Sequence, residues 1–441
     1  MQKQVKKLVI IGGGSAYTPE IFDGIIDRNK ALNISNITIV DIEDGFERAR
    51  VNLELGIRMF RRAGVLCELN LTTDRRNALQ DADFIISQIR VGGLDARIKD
   101  ETIGLKTGIL GQETTGAGGF MNAMRTIPEA LGIARDIEEI CPDAWLINFT
   151  NPSGIVTEAI LKHTKVKCAG LCNVPVNMQT DAAKVLNAEY SDIHCSFVGL
   201  NHLSYITSVE IEGKDVLATV VERISSNETL MKNIPKVAGV GSLIQSTGIV
   251  PSPYLQYYYF EGEMLKKQQE EFKQNGKTRG SIVEEIDKAL FEKYKDAQLD
   301  VKPEELSQRG GSLYSYAALN AIEALSGSAP VEMVLNVMNK GAITDLEDTD
   351  VVEINCIVSD KGIEPVKRGA LPETARGLIQ AVKQYERLTV KAAAGNDKTA
   401  ALNALLNHPL VHGYNNAIQI ITQMQAEFPE FINFEMTGGD D

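Results

Sequence analysis

The pattern of apolar and polar positions changes character near residue 170. Before it, short and nearly unbroken apolar runs alternate with amphipathic stretches. Residues 7–11, 36–42, 68–72, 83–89, 145–149 and 166–171 read as strands. Helices are expected at 19–29, 44–62, 120–140 and 153–163. In the second of these Asp44 is placed as the N-cap, with Phe46, Val51, Leu55 and Met59 at helical spacing. The run 83–89 is almost wholly apolar, as a strand buried on both faces should be. This alternation predicts an α/β architecture with a Rossmann-type, doubly wound sheet. Beyond residue 172 the rhythm differs. Residues 193–200 and 203–211 read as antiparallel strands and 351–358 as another. Helices are expected at 281–292, 315–325, 373–394 and 411–426, a solvated helix or loop at 264–277, and a frayed tail at 437–441. The second half is therefore α+β.

At 441 residues the chain exceeds one ordinary core, so two domains are expected, 1–170 and 171–441. The net charge of −14 disfavours a nucleic-acid or anionic membrane partner, because both need a basic surface. A local arginine cluster can still bind a phosphorylated small molecule. No apolar run approaches a membrane span, and no secretion signal is read at the start. The six cysteines have no framework spacing and are expected as thiols in a cytoplasmic protein.

Seven stretches can carry chemistry. The first strand stops at Gly12-Gly13-Gly14-Ser15, and Tyr17-Thr18-Pro19 opens the next helix. The third glycine of the usual dinucleotide fingerprint is replaced by Tyr17. Asp41 ends the following strand, where a carboxylate can accept from ribose hydroxyls and repel a 2′-phosphate. The reading is an NAD site; the plain alternative is a turn that binds nothing. Arg97 follows the fourth strand and either meets a substrate or pairs on a helix surface with Asp100 or Glu101. Gly111 to Gly119 holds four glycines, which mark a close backbone approach to a ligand, a moving lid or a flexible connection. Asn148 and Asn151 can bond a sugar hydroxyl, a ribose or a carboxamide, or cap the next helix. Cys172 and His202 each follow a strand. A thiolate and an imidazole suit a divalent transition metal and leave positions for substrate oxygens, although a lone Cys and a lone His are more often core. Tyr254, Tyr257, Tyr258 and Tyr259 are core, a stacking surface or the source of a phenolate base. Lys277, Arg279 and Ser281 form a possible phosphate cradle at a helix start.

Taken together, these motifs resemble glycoside hydrolase family 4, in its 6-phospho-β-glucosidase branch. The resemblance spans the chain. It rests on Gly12-Gly13-Gly14-Ser15-x-Tyr17-Thr18-Pro19, Arg90-x-Gly92-Gly93-x-x-x-Arg97-x-x-Asp100-Glu101, and Glu113-Thr114-x-Gly116-x-Gly118-Gly119. It rests also on Thr150-Asn151-Pro152, Cys172-Asn173-Val174-Pro175, Gly199-x-Asn201-His202 and Tyr254-Leu255-Gln256-Tyr257-Tyr258. It implies an NAD-binding first domain and a lactate/malate dehydrogenase-like α+β C-terminal domain that holds metal and substrate. It further implies hydrolysis of 6-phospho-β-glucosides such as cellobiose 6′-phosphate, with NAD and Mn2+ or another divalent metal. The implied route is transient oxidation at C3, loss of the C2 proton, elimination at C1, addition of water and re-reduction, outside the two-carboxylate scheme.

The implied roles follow the motifs. Gly12, Gly13, Gly14, Ser15, Thr18 and Asp41 hold NAD. Cys172 and His202 bind the metal, Tyr254 is the base ahead of Tyr257 or Tyr258, Arg97 and Asn151 contact substrate, and Arg279 contacts the phosphate, with Lys277 a possible helper. A homodimer or homotetramer is implied too. One departure is Asn173. The family's 6-phospho-α-glucosidases carry an aspartate there, read as the leaving-group acid, so the acid is unassigned here. The competing enzymatic reading is an NAD-dependent 2-hydroxyacid dehydrogenase. It wants a His–Asp pair in the second domain, and no convincing one is found.

Overall fold

The computed structural model describes residues 6–227, 237–309, 314–432 and 434. The expected tail at 437–441 lies outside them. Apolar runs become strands wherever both faces are covered. Strands β1 (Lys6–Ile11), β2 (Ile34–Val40), β3 (Glu68–Thr72), β4 (Phe84–Ser87), β5 (Trp145–Asn148) and β6 (Lys167–Gly170) lie parallel in the order β3-β2-β1-β4-β5-β6. The order reverses between β1 and β4, and the crevice beyond the carboxyl ends at that point is where open α/β sheets bind ligands. Helices Thr18–Asp27 and Glu43–Ala63 pack on this half, with Phe22, Leu55 and Met59 buried.

Further strands follow: β7 (Ile193–Leu200), β8 (Leu203–Ile211), β9 (Lys214–Asp215), β10 (Val250–Pro251), β11 (Val331–Met338), β12 (Val351–Ser359) and β13 (Gly362–Pro365). The two runs after residue 190 pair antiparallel, and with β10 and β9 they make a small second sheet. Strands β11, β12 and β13 join the first sheet antiparallel, next to β6 through Asn336 and Gly170, so nine strands make one sheet that crosses residue 170.

Local corrections have local causes. The helix Glu43–Ala63 begins one residue before Asp44, after Ile42, with no side-chain cap. Asp44 therefore sits in the first turn beside Glu43, where an acid still suits the helix dipole. The helix expected at 19–29 ends at Asp27, and a separate turn Asn29–Leu32 follows. Residues 264–277 fall mostly in the helix Glu261–Asn275, whose only buried residue is Met264. All six cysteines are free. No described helix is long and apolar enough to cross a membrane.

Candidate active site

The glycine loop is shaped from behind. Gly12 has φ +88°, and a Cβ there would lie 2.9 Å from the Gln88 backbone. A Cβ on Gly13 would lie 1.8 Å from Ile39 Cγ2. The loop carbonyls are tied down by buried side chains. Thr18 Oγ1 donates to Gly13 O at 2.9 Å, and Asn52 Nδ2 donates to Gly13 O at 2.7 Å and to Ser15 O at 2.8 Å. Gln88 Nε2 donates to Thr18 Oγ1 at 2.8 Å. Thr18 is thus fully buried, and both its hydrogen-bonding directions serve the loop's shape. Asp41 reaches the loop from β2. Its Oδ2 accepts from Gly14 N at 2.5 Å and its Oδ1 from Ile42 N at 2.9 Å. Burial raises the Asp41 pKa, and those two N–H groups oppose the rise.

A second centre is built from side chains. The helix Gly93–Lys106 carries Arg97, whose Nε donates to Glu101 Oε1 at 2.9 Å and whose Nη1 lies 2.8 Å from Glu113 Oε1. Arg90 also pairs with Glu113. Burial alone would raise Glu113, but Arg90 and Arg97 outweigh it and hold the carboxyl at about 2. Arg97 is therefore paired with Glu101, as the plainer reading had it, yet its side chain is only 10% exposed rather than on the surface. Asp100 turns away to a buried two-point pair with Arg125 at 2.8 and 2.6 Å. Glu113 is held in place by the glycine stretch. A Cβ on Gly118 would lie 2.2 Å from Gln112 O, so the helix Gly116–Ile140 can fold back against residues 112–114 only because side chains are missing there. The expectation for these glycines is a ligand, a lid or a flexible connection; what the structure shows at Gly118 and Gly119 is protein backbone packed on protein backbone.

Onto this centre fold the aromatic residues. Tyr254 stacks on His202 with ring centroids 3.8 Å apart and planes 8° from parallel. Tyr257 lies 6.0 Å from Tyr254. His202 is buried at φ +63°, in the two-residue turn between Leu200 and Leu203. Its Nδ1 is 3.0 Å from Thr114 Oγ1, and no hydrogen bond from the described residues reaches Nε2. Burial depresses the ring to about 4, partly offset by Glu113, so it is neutral near pH 7. Cys172 is buried next to Glu353 and Tyr254, and burial followed by the Glu353 charge raises its thiol. The Tyr254 phenol is raised well above 10 by burial, then by Tyr257, Cys172 and Glu113, and only Arg97 opposes. Among the described residues no cluster of three or more His, Cys, Asp or Glu is placed to hold a metal.

The remaining expected residues fall as follows. Asn151 is half-buried beside a cis bond to Pro152, while Asn148 is buried and donates to Thr157 Oγ1 at 3.0 Å. The cradle at 277–281 is reduced to one cation. Lys277 pairs with Glu285, Ser281 closes a capping box with Thr278, and Gly280 N donates to Glu101 Oε2 at 2.7 Å. Arg279 stays exposed and pulls down the Tyr257 pKa, which burial raises. Ser15 is half-buried on the loop, its Oγ accepting from Tyr17 N at 3.3 Å. Two residues escaped the sequence reading. Arg309 pairs with Asp287 at 2.8 Å, lies 4.6 Å over the Tyr17 ring, and lowers the Glu113 pKa, so it links the glycine loop to the second centre. Glu353 is fully buried beside Cys172. The signal for Glu353 was present, since an acid and an amide two apart interrupt the apolar strand Val351–Ser359. Arg309 carries no such mark.

Comparison with known proteins gives a consistent picture. Residues 7–188 match Family 4 glycosyl hydrolase, and residues 197–411 match the Family 4 glycosyl hydrolase C-terminal domain. The chain is 42% identical over 434 residues to a probable 6-phospho-beta-glucosidase of Bacillus subtilis (strain 168), covering 97% of this chain and 98% of that one. It is similar to the 6-phospho-beta glucosidase structure from Thermotoga maritima with manganese, NAD+ and glucose-6-phosphate, at TM-score 0.88 and 34% identity. That match covers 97% of this chain and 100% of the other. A malate dehydrogenase from Plasmodium falciparum shares the fold alone, at TM-score 0.52 and 13% identity over 89% of this chain and 99% of that one.

Proposed function

Because this chain belongs to family 4 of the glycosyl hydrolases, we propose that it cleaves 6-phospho-β-glucosides, with cellobiose 6′-phosphate as a representative substrate, and uses NAD+ and Mn2+ or a similar cation. The observation that carries the reading is the stack of Tyr254 on a neutral His202, beside Cys172 and against Arg97.

The donor set fits a cation. One sulfur and one neutral imidazole nitrogen suit a divalent transition metal, and a pair of ligands leaves room for sugar oxygens. The loop fits a dinucleotide. Its backbone is fixed from behind by Thr18 and Asn52, and the helix Thr18–Asp27 begins directly after it. When bound, NAD+ supplies a reversible hydride acceptor for C3, and the cation a Lewis acid for the oxygens on C2 and C3.

The chain's own residues do the rest. Gly12, Gly13, Gly14, Ser15 and Asp41 line the NAD loop, and Thr18 supports it. Cys172 and His202 hold the cation. Tyr254 takes the C2 proton, and its phenol is neutral until positive charge arrives. Burial and three neighbours raise it and Arg97 opposes them, so positive charge held by Cys172 and His202 would favour its loss of a proton. Arg97 and Asn151 orient the sugar, and Arg279 meets the 6-phosphate. Asn173 cannot donate a catalytic proton, which supports a β-linked substrate and leaves the leaving-group acid, water or another residue, unassigned.

A substrate panel tests the reading: p-nitrophenyl glucosides of both anomers, with and without the 6-phosphate, in NAD+ and Mn2+. Release of p-nitrophenol only from the phosphorylated β-anomer, lost on chelation and without net NADH, is expected. Lasting NADH formation from a hydroxy acid, with no p-nitrophenol, would establish the dehydrogenase reading instead. Sedimentation tests the implied homodimer or homotetramer.

A further inference from the structure

Strand β12 sends two polar side chains the same way. Glu353 and Asn355 are two residues apart, so they share a face, and both are buried. Each grips the hairpin of β7 and β8. Asn355 Oδ1 accepts from Phe197 N at 2.7 Å and its Nδ2 donates to Cys195 O at 2.8 Å, where the hairpin register slips between Ser196 and Phe197. Glu353 grips the turn end. Its Oε1 accepts from Asn201 Nδ2 at 2.9 Å and Asn336 Nδ2 at 3.4 Å, and its Oε2 from Ser204 Oγ at 2.8 Å.

Asn201 and Ser204 bracket His202, which occupies the left-handed region that a side chain disfavours. The Asn201 side chain also bears on Cys172, lowering the thiol's pKa against burial. One carboxylate thus touches the supports of both Cys172 and His202, although it lies some 150 residues further along the chain from His202 (152 from Asn201, by the bond to it). Among the described residues no cation pairs with it; only neutral donors meet its oxygens, and burial pushes the carboxyl up to about 7.

We propose that Glu353 is the positioning residue of the metal pair. Through Asn201 and Ser204 it holds His202 in its turn and keeps Cys172 under the Asn201 amide, so that sulfur and Nε2 face one cation. The inference rests on the reading of Cys172 and His202 as metal ligands.

The test uses the full chain and Mn2+ alone, with free Mn2+ read by electron paramagnetic resonance. NADH binding is read by fluorescence and folding by circular dichroism. Glu353→Ala is expected to weaken Mn2+ binding about 10–100-fold, as loss of a partner that orients metal ligands does, with NADH affinity unchanged. Glu353→Gln keeps an acceptor for Asn201 and loses the charge, so a smaller loss is expected. Unchanged Mn2+ affinity in folded Glu353→Ala overturns the proposal, as does a parallel fall in Mn2+ and NADH binding, which marks a merely structural role. If Glu353→Ala does not fold, Glu353→Gln decides, and wild-type Mn2+ affinity overturns the proposal. Cys172→Ser and His202→Ala separate the two claims. If neither changes Mn2+ binding, the ligand reading itself fails. If both abolish it while the Glu353 variants bind as wild type, only the role of Glu353 fails.

Discussion

The glycine loop at residues 12–14 and the ring-and-guanidinium cluster around Tyr254 are joined by Arg309 and Tyr17, but they are built in opposite ways. The loop is backbone, shaped by a strand, a turn and a helix that follow one another in sequence. The cluster is side chain, gathered from Arg90, Arg97, Glu113, His202 and Tyr254, and none of these segments forms its part without the others. A site made of backbone fails when something is added to it. A site made of side chains fails when something is removed.

The largest expected effect is on the cluster. Tyr254→Phe keeps the ring that stacks on His202 and removes only the hydroxyl. It should lower kcat roughly 10²–10⁴-fold, with NADH affinity and the melting curve unchanged. Activity near wild type would mean that proton removal lies elsewhere, with Tyr257 the next to test. Arg97→Met comes second. It leaves Glu101 and Glu113 buried with one cation fewer, and breaking such a pair costs about 3–5 kcal/mol, readable by urea denaturation. A small loss would show that Arg90 alone suffices for Glu113.

The loop comes third, with the opposite signature. Gly13→Ala places a Cβ 1.8 Å from Ile39 Cγ2. Overpacking of this kind costs about 1–3 kcal/mol, and NADH affinity should fall with stability. Mn2+ binding should hold, and if it fell equally the two regions would not be separable. The smallest effect concerns the support behind the cluster. Gly116 N lies 3.2 Å from His408 Nε2 and Leu410 N 3.1 Å from Nδ1, and a neutral ring can accept from only one of them. Burial depresses His408 to about 3, so folding disfavours the charged ring. Its contribution is present above pH 6.5 and is lost as pH falls toward 3. The slope is at most about 1.4 kcal/mol per pH unit. Melting temperatures between pH 7 and 4 should fall less steeply in His408→Gln, and an unchanged slope would place the titration elsewhere.

What the sequence made legible follows the same division. The loop, Asp41 and the six parallel strands are set by neighbours a few residues away, and they stand close to where the pattern put them. Strands β11 and β13 were missed because their pairing is decided by β12 and β6, far along the chain. The helix Gly93–Lys106 went unassigned because its buried face is partly charged: Asp100 and Glu101 sit inside, each with a partner from another element. Motif order made Cys172, His202 and Tyr254 visible as separate residues. That Tyr254 lies flat on His202 could be read from neither segment. Lys277 illustrates the converse, a cation well placed in sequence and already paired to Glu285 in space.

The stacked rings carry an evolutionary consequence. With centroids 3.8 Å apart and nearly parallel planes, residues 202 and 254 share one slot. Neither can change size or tilt without moving the other, so their substitutions should show strong epistasis. A double-mutant cycle across them should depart from additivity, and among descendants of this chain the two positions are expected to drift as a pair or not at all.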